Sequence, residues 1–384
     1  MTIGARVRQV RELRGLTQRE LADATGVTQP RIRQIESMER PPTDAWLTKA
    51  ALATAYPVSF FHQPMTGGES FPLGSMLFWA QAAMTKRERQ QAHRTGQVLF
   101  DVTERLLRRF PAVPHRIPEL DGAADPCEAA RVTRAALGLS PDQPVPNIIR
   151  RLENNGVVVL AVPLENEHHE AYSLWAGWKP TRPVIVLLGD QHGDQQRWAT
   201  AHELGHLVLH RTPPSDRKAG EEQAHHFARE FLLPADVMVE ELPDSITLNS
   251  LAPLKQRWGV SIQTLVRRAH DLDHLTDRQY RYLFQQMGAR GWRNKATWEP
   301  AHLAVPIERP KALMKMIDKL YGPSIDYNKV AGDLYLPVFE LQELLRRQAR
   351  VAAAPPPSTR TDATVTFLRP HPPAHRDADE PREA

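Results

Sequence analysis

The chain has 384 residues, of which 41% are hydrophobic and 24% charged, enough for two or three ordinary globular domains. Its 49 basic and 45 acidic side chains leave a net charge of only +4, so overall charge does not by itself mark a nucleic-acid binder. A single cysteine, Cys127, excludes an intramolecular disulfide and fits a reducing compartment, and neither an apolar leader nor an eighteen-residue apolar run is present, so a cytoplasmic location is expected.

The first forty residues depart from this average: they are arginine-rich, contain no lysine, and carry more arginines than acids. Ile3, Val7, Val10 and Leu13 recur at helical spacing up to Gly15. Thr17 then caps a second helix with Glu20 at the reciprocal position, Gly26 stops it, and Thr28 heads a third with Pro30 in its first turn and Ile32 and Ile35 inside. Two short helices across a glycine turn, supported by a preceding helix, form a helix-turn-helix. The segment from Gly15 to Glu36 resembles the Cro/repressor (XRE) DNA-binding family over its whole length.

That resemblance implies a lambda-repressor-like domain that binds a double-stranded DNA operator. Thr28, Gln29 and Gln34 would contact DNA from the third helix, flanked by Arg31 and Arg33, with Gln18 on a phosphate and Arg11 and Glu36 as a structural ion pair. Glutamine reads an adenine edge bidentately, and arginine reads guanine or holds phosphate. Pro30 departs from the family pattern and removes one base-reading side chain. A homodimer on two half-sites is expected, with nucleoid association when DNA is bound. A further helix through Trp46, Leu47, Ala50 and Leu52 completes a five-helix module over residues 1–62.

Residues 63–125 form a helical connector, helical over 76–110, whose stripe Val98, Leu99, Val102, Leu106 and Leu107 is expected to pack within the chain. A proline-rich break from Pro111 to Pro126 follows. Helices over Cys127–Leu137 and Asn147–Glu153 then precede strands over Val157–Val162, Tyr172–Trp175 and Val184–Leu188. The last strand would lie beside the next helix and offer an edge to an extended substrate.

That helix carries the strongest chemical signal in the chain. His202-Glu203-Leu204-Gly205-His206 is an HExxH pattern: two imidazoles one turn apart reach one metal ion, while Glu203 stands beside them as general base for an attacking water. Gly193 and Asp194 mark the helix start. A second helix, Glu221 to Leu233, is closed by Pro234. Here the chain resembles the ImmA/IrrE metallopeptidases, in which HELGH is followed by ExxAxxFAxxLLxP; Glu221, Ala224, Phe227, Ala228, Leu232, Leu233 and Pro234 match.

The resemblance implies a gluzincin-like Zn2+ site held by His202, His206 and Glu221, with Glu203 catalytic. Gln223 and His225 depart from the family pattern and leave Glu222 and His225 open as third ligand or orienting partner. His210 and His226 are read as structural, His210 at the helix C-terminus, and Glu230 as solvated or salt-bridged. The peptidase domain is placed at residues 126–245, a helical region at 246–348, and a disordered tail rich in Pro, Ala, Arg and Asp at 349–384.

The expected fold class is therefore α+β and predominantly helical. Two functions follow. In the first, a DNA-binding transcriptional regulator carries a zinc endopeptidase that cleaves a regulatory protein: a repressor, a partner or itself. In the second, a non-proteolytic transcription factor or antitoxin uses its zinc-site domain to sense a ligand or partner. A sensor needs both histidines but has no need of Glu203 as a base.

Overall fold

In the computed structural model of the protein, the described residues are 3–65, 85–111, 113–120, 124–162, 171–177, 181–189, 191–211, 214–292 and 298–349. The expected tail beyond 349 and the start of the connector helix, residues 76–84, lie outside them. The chain opens with five helices: α1 (Ile3–Leu13), α2 (Gln18–Thr25), α3 (Gln29–Glu36), α4 (Asp44–Thr54) and α5 (Val58–Phe61). Thr17 and Glu20 close a reciprocal cap on α2: the Thr17 hydroxyl accepts from the Glu20 amide at 3.1 Å and the Thr17 amide donates to Glu20 at 2.7 Å. Gly26, at φ +69°, supplies the left-handed turn into α3. Val7, Val10, Leu21, Ile32 and Ile35 are buried, so the helical periodicity of the sequence is the periodicity of the core.

Helix α6 (Lys86–Leu107) runs behind this module and is tied to α1 by polar contacts as well as apolar ones. Arg6 pairs with Asp101 at 2.7 Å with both side chains buried, Gln9 donates to Gln97 at 2.9 Å, and Arg94 pairs with Glu12 at 2.7 Å. Val98, Leu99, Val102 and Leu106 are buried in one apolar cluster with the module, so the stripe is spent inside the chain.

After α7 (Pro126–Ala136) and α8 (Ile148–Asn154) come β1 (Val158–Val162), β2 (Ala171–Ala176) and β3 (Arg182–Leu188). The sheet order is β1-β3-β2, with β1 parallel and β2 antiparallel to β3. Alternate residues face opposite cores: Leu160, Leu174 and Val186 join the cluster shared with α6, while Val159, Ile185 and Leu187 join the one that holds the HExxH helix. Burial on both faces explains why these strands read as continuous apolar runs. One expectation is corrected here. β3 is paired on both sides, so it offers no edge to a substrate; among the described strands the edge on the HExxH side belongs to β2.

The second half is helical: α9 (Gly193–Leu209), α10 (Arg217–Leu232), α11 (Ala235–Glu241), α12 (Ala252–Trp258), α13 (Ile262–Asp271), α14 (Asp277–Ala289), α15 (Ala312–Tyr321), α16 (Tyr327–Leu334) and α17 (Val338–Ala349). The whole is α+β and mostly helical, and no described helix is long and apolar enough to cross a membrane. Helices α9 and α10 approach closely because position 205 has no side chain. A Cβ there would stand 3.0 Å from the Phe227 ring. Gly205→Val is expected to cost about 1–3 kcal/mol of stability by overpacking this contact, measured as a lowered midpoint in urea unfolding. The last helices pack back on the sheet and the N-terminal module: Glu340 of α17 accepts from Tyr56 and pairs with Arg14 at 2.5 Å.

Candidate metal centre and nucleic-acid interface

Helix α9 presents His202 and His206 one turn apart, with their Nε2 atoms 3.1 Å from each other. Helix α10 crosses it and brings Glu221 Oε2 to 3.1 Å from His202 Nε2. Tetrahedral coordination with bonds of about 2.0–2.1 Å places ligand atoms roughly 3.3 Å apart, so the His202–His206 and His202–Glu221 spacings each suit shared ligation of a small divalent ion. His225 comes from the next turn of α10, and its ring centroid lies 4.7 Å from that of His202. His202, Glu221 and His225 also form a group whose donor atoms all lie within 4.8 Å of one another. Among the residues left open, His225 thus joins the cluster, whereas Glu222 points outward and is exposed.

A chain of hydrogen bonds points to Nε2 as the nitrogen that His206 offers. The Gln223 carbonyl oxygen only accepts, so His210 Nε2, 2.9 Å away, carries its proton. Burial lowers the pKa of His210 and keeps it neutral, which leaves Nδ1 as an acceptor for His206 Nδ1 at 2.9 Å. His206, buried and held well below the ordinary histidine pKa, chiefly by burial and then by His202, is neutral too, so its Nε2 carries a bare lone pair facing the cluster. His206 Nε2 then faces His202 Nε2, which in turn faces Glu221 Oε2, a run of nitrogen and oxygen donors suited to a divalent cation.

His210 is therefore more than a helix terminus: it links His206 to Gln223, a departure from the family pattern. Gln223→Leu is expected to weaken divalent-metal affinity about 10- to 100-fold, read by chelator competition with the HExxH residues intact.

Glu203 is 5% exposed, and its carboxylate accepts a hydrogen bond from Ser173 Oγ of β2 at 2.6 Å. Burial raises its pKa above the ordinary carboxylate value, opposed by His202 and by the Ser173 bond. Ser173 was not visible as a site residue in the sequence, because nothing local to β2 says which face meets α9. The start of α9 was read correctly at Gly193, but Asp194 is buried: it pairs with Lys255 and accepts from Trp298 Nε1 at 3.1 Å. Of the two readings of Glu230, solvated or salt-bridged, the structure shows the second. It is 2% exposed and bound to Arg268 and, at 3.1 Å, to Arg131. His226 is exposed and faces away from the cluster.

In the N-terminal module, Thr28, Gln29 and Arg33 are exposed on α3, with Gln34 and Gln18 partly so. The Thr28 hydroxyl makes no capping bond to the helix it heads. Gln29 Nε2 donates to Gln18 Oε1 at 2.8 Å, and Gln18 Nε2 donates to Glu36 at 2.9 Å. Glu36 in turn takes Arg11 bidentately at 2.5 and 3.0 Å, the structural pair expected of it. Arg31 behaves differently. Its guanidinium bonds the carbonyls of Arg40 at 2.9 Å and Pro41 at 2.8 Å, fixing the loop after α3.

Comparison with known families agrees with both halves. Residues 7–61 match the helix-turn-helix family to which XRE-type regulators belong, and residues 152–270 match the IrrE N-terminal-like domain of the M78 peptidases. The chain is thus a fusion of an XRE-type helix-turn-helix with an IrrE/ImmA-like metallopeptidase domain. No curated protein matches its sequence.

Proposed function

We propose that this protein is a DNA-binding transcriptional regulator whose second domain is a zinc endopeptidase that cleaves a regulatory protein, which includes a repressor, a partner or the chain itself. The observation that carries the reading is that His206 Nε2 and Glu221 Oε2 each lie 3.1 Å from His202 Nε2, beside a buried, hydrogen-bonded Glu203. His202, His206 and Glu221 would hold the ion, with His225, whose donor atom lies within 4.8 Å of those of His202 and Glu221, as a further donor.

Bound there, zinc would supply Lewis-acid polarisation of the scissile carbonyl. Glu203 takes the proton of the attacking water and returns it to the leaving amine, and its raised pKa brings it nearer the optimum for both tasks. Ser173 holds the carboxylate in place and favours its ionised form. On the DNA side, Thr28, Gln29, Arg33 and Gln34 of α3 face the groove and Gln18 a phosphate, while Arg31 acts by shaping the loop behind them. A homodimer would read two half-sites.

The test is metal content. Full-length protein purified without chelators should hold one equivalent of zinc, retained in Glu203→Gln and lost in the His202→Ala, His206→Ala double variant. Wild-type protein without a stoichiometric divalent ion would end the peptidase half of the reading.

A further inference from the structure

A cavity of about 400 Å3 opens beside the metal cluster and shares His225 with it as a wall. The Trp198 ring stacks on His225 at 6.0 Å and continues the wall away from the cluster, and Trp298 and Arg229 line it farther out. Arg267 reaches in from α13.

The charges around the cavity do not balance. Asp194 is taken up by Lys255 and Trp298, and Arg229 by Asp271 at 2.6 Å. Arg267 lies over the Phe284 ring at 5.2 Å and has no carboxylate partner among the described residues. The Arg229 guanidinium is held below its ordinary pKa, first by burial and then by the nearby cations Arg268 and Arg267, which crowd positive charge on this side of the cavity. Gln195, also in the lining, has a buried carboxamide oxygen without a hydrogen-bond partner, an acceptor suited to a peptide N–H.

We infer that this cavity is the specificity pocket of the peptidase, and that it takes an acidic side chain, Asp or Glu, flanking the scissile bond, with Arg267 as the residue that selects it. The inference rests on the metallopeptidase reading. A half-buried guanidinium without a counter-ion gains a charge-assisted, bidentate bond from a carboxylate that a carboxamide does not replace. The aromatic walls hold the aliphatic stem, and Gln195 takes a main-chain N–H.

Metal-anchored probes test this without turnover. Zinc-loaded full-length protein is titrated with mercaptoacetyl-Glu-amide against mercaptoacetyl-Gln-amide, and with acetyl-Glu hydroxamate against acetyl-Gln hydroxamate, which extend from the metal in opposite directions. Binding is followed by calorimetry and by tryptophan fluorescence. In one of the two series the Glu member should bind about tenfold more tightly. Arg267→Gln should remove the preference, Arg267→Lys should keep part of it, and Arg267→Glu should reverse it, while zinc content stays at wild-type level in all three. Protein that holds zinc but binds Glu and Gln members equally in both series overturns the pocket assignment alone. Protein that holds no zinc and binds neither series overturns the metallopeptidase reading and this inference with it.

Discussion

Replacing Glu203 with Gln is expected to lower the turnover number for peptide-bond cleavage by about 100- to 10,000-fold, the usual worth of a positioned general base. Zinc content should not change, because the proposed ligands are His202, His206 and Glu221 and not Glu203. The carboxamide keeps a hydrogen-bond acceptor for Ser173, so the fold should tolerate the exchange. The same carboxylate sets a pH dependence. Glu203 must be ionised to accept a proton, so activity is present above its pKa and falls as pH falls through it. Burial raises that pKa and the Ser173 bond lowers it, so removing the bond raises it further. Ser173→Ala should therefore shift the acid limb of kcat/KM to higher pH. An unchanged limb would detach Glu203 from the proton transfer.

The largest stability effect is expected at Lys255, far from any sequence motif. Its ammonium is 1% exposed and lies between Asp194 and Glu299, the latter at 2.8 Å. Glu299 also accepts from the amides of Ile262 and Gln263, closing the N-terminus of α13, so one buried cation joins α9, α12, α13 and the segment after α14. Lys255→Met leaves two buried carboxylates facing one another. Breaking a buried pair in this way costs about 3–5 kcal/mol, against a typical domain stability of about 5–15 kcal/mol. Urea unfolding followed by tryptophan fluorescence should show the loss. Adding Asp194→Asn and Glu299→Gln should recover most of it, because neutral partners no longer need the cation. A single variant as stable as wild type would mean that water reaches this cluster.

The sequence carried those parts of the structure whose logic is local. The Thr17–Glu20 cap of the helix-turn-helix, its inner aliphatics and the Arg11–Glu36 pair lie in register within one short segment, whereas the cap expected of Thr28 does not form; HExxH needs only the helical repeat to bring His202 over His206. Glu221 was reached through the spacing of a known family pattern and not through geometry. What stayed hidden depends on how elements dock. Ser173 becomes a site residue only because β2 places that face against α9, and β3 is central only because β1 and β2 flank it. His210 and Gln223 are thirteen residues apart and meet because α10 folds back over the end of α9. The same holds for the bonds of Arg31, which the family resemblance places beside the DNA-contacting positions, to the loop carbonyls of Arg40 and Pro41. Lys255, Asp194 and Glu299 lie up to 105 residues apart in the sequence, and no periodicity connects them.

Contacts between the two functions are as specific as those within them. The helix-turn-helix is anchored through buried Arg6–Asp101 and Gln9–Gln97 contacts on α1, and its recognition helix stays exposed. Helix α6, which receives those contacts, packs on the sheet, and Tyr172 of β2 donates to the Ala92 carbonyl of α6 at 3.3 Å. The next residue, Ser173, turns to the other face and holds Glu203. Helix α3 and the Glu203 carboxylate thus belong to one continuously packed body.

The measurement that bears most directly on this account compares new protein N-termini across the proteome of the native host, with wild type or Glu203→Gln expressed, before and after DNA damage. The account predicts termini that appear only with wild type and name the substrate, this chain included. Matching profiles under both conditions, with zinc and operator binding intact in both proteins, would contradict it and leave a regulator that uses its metal domain to sense.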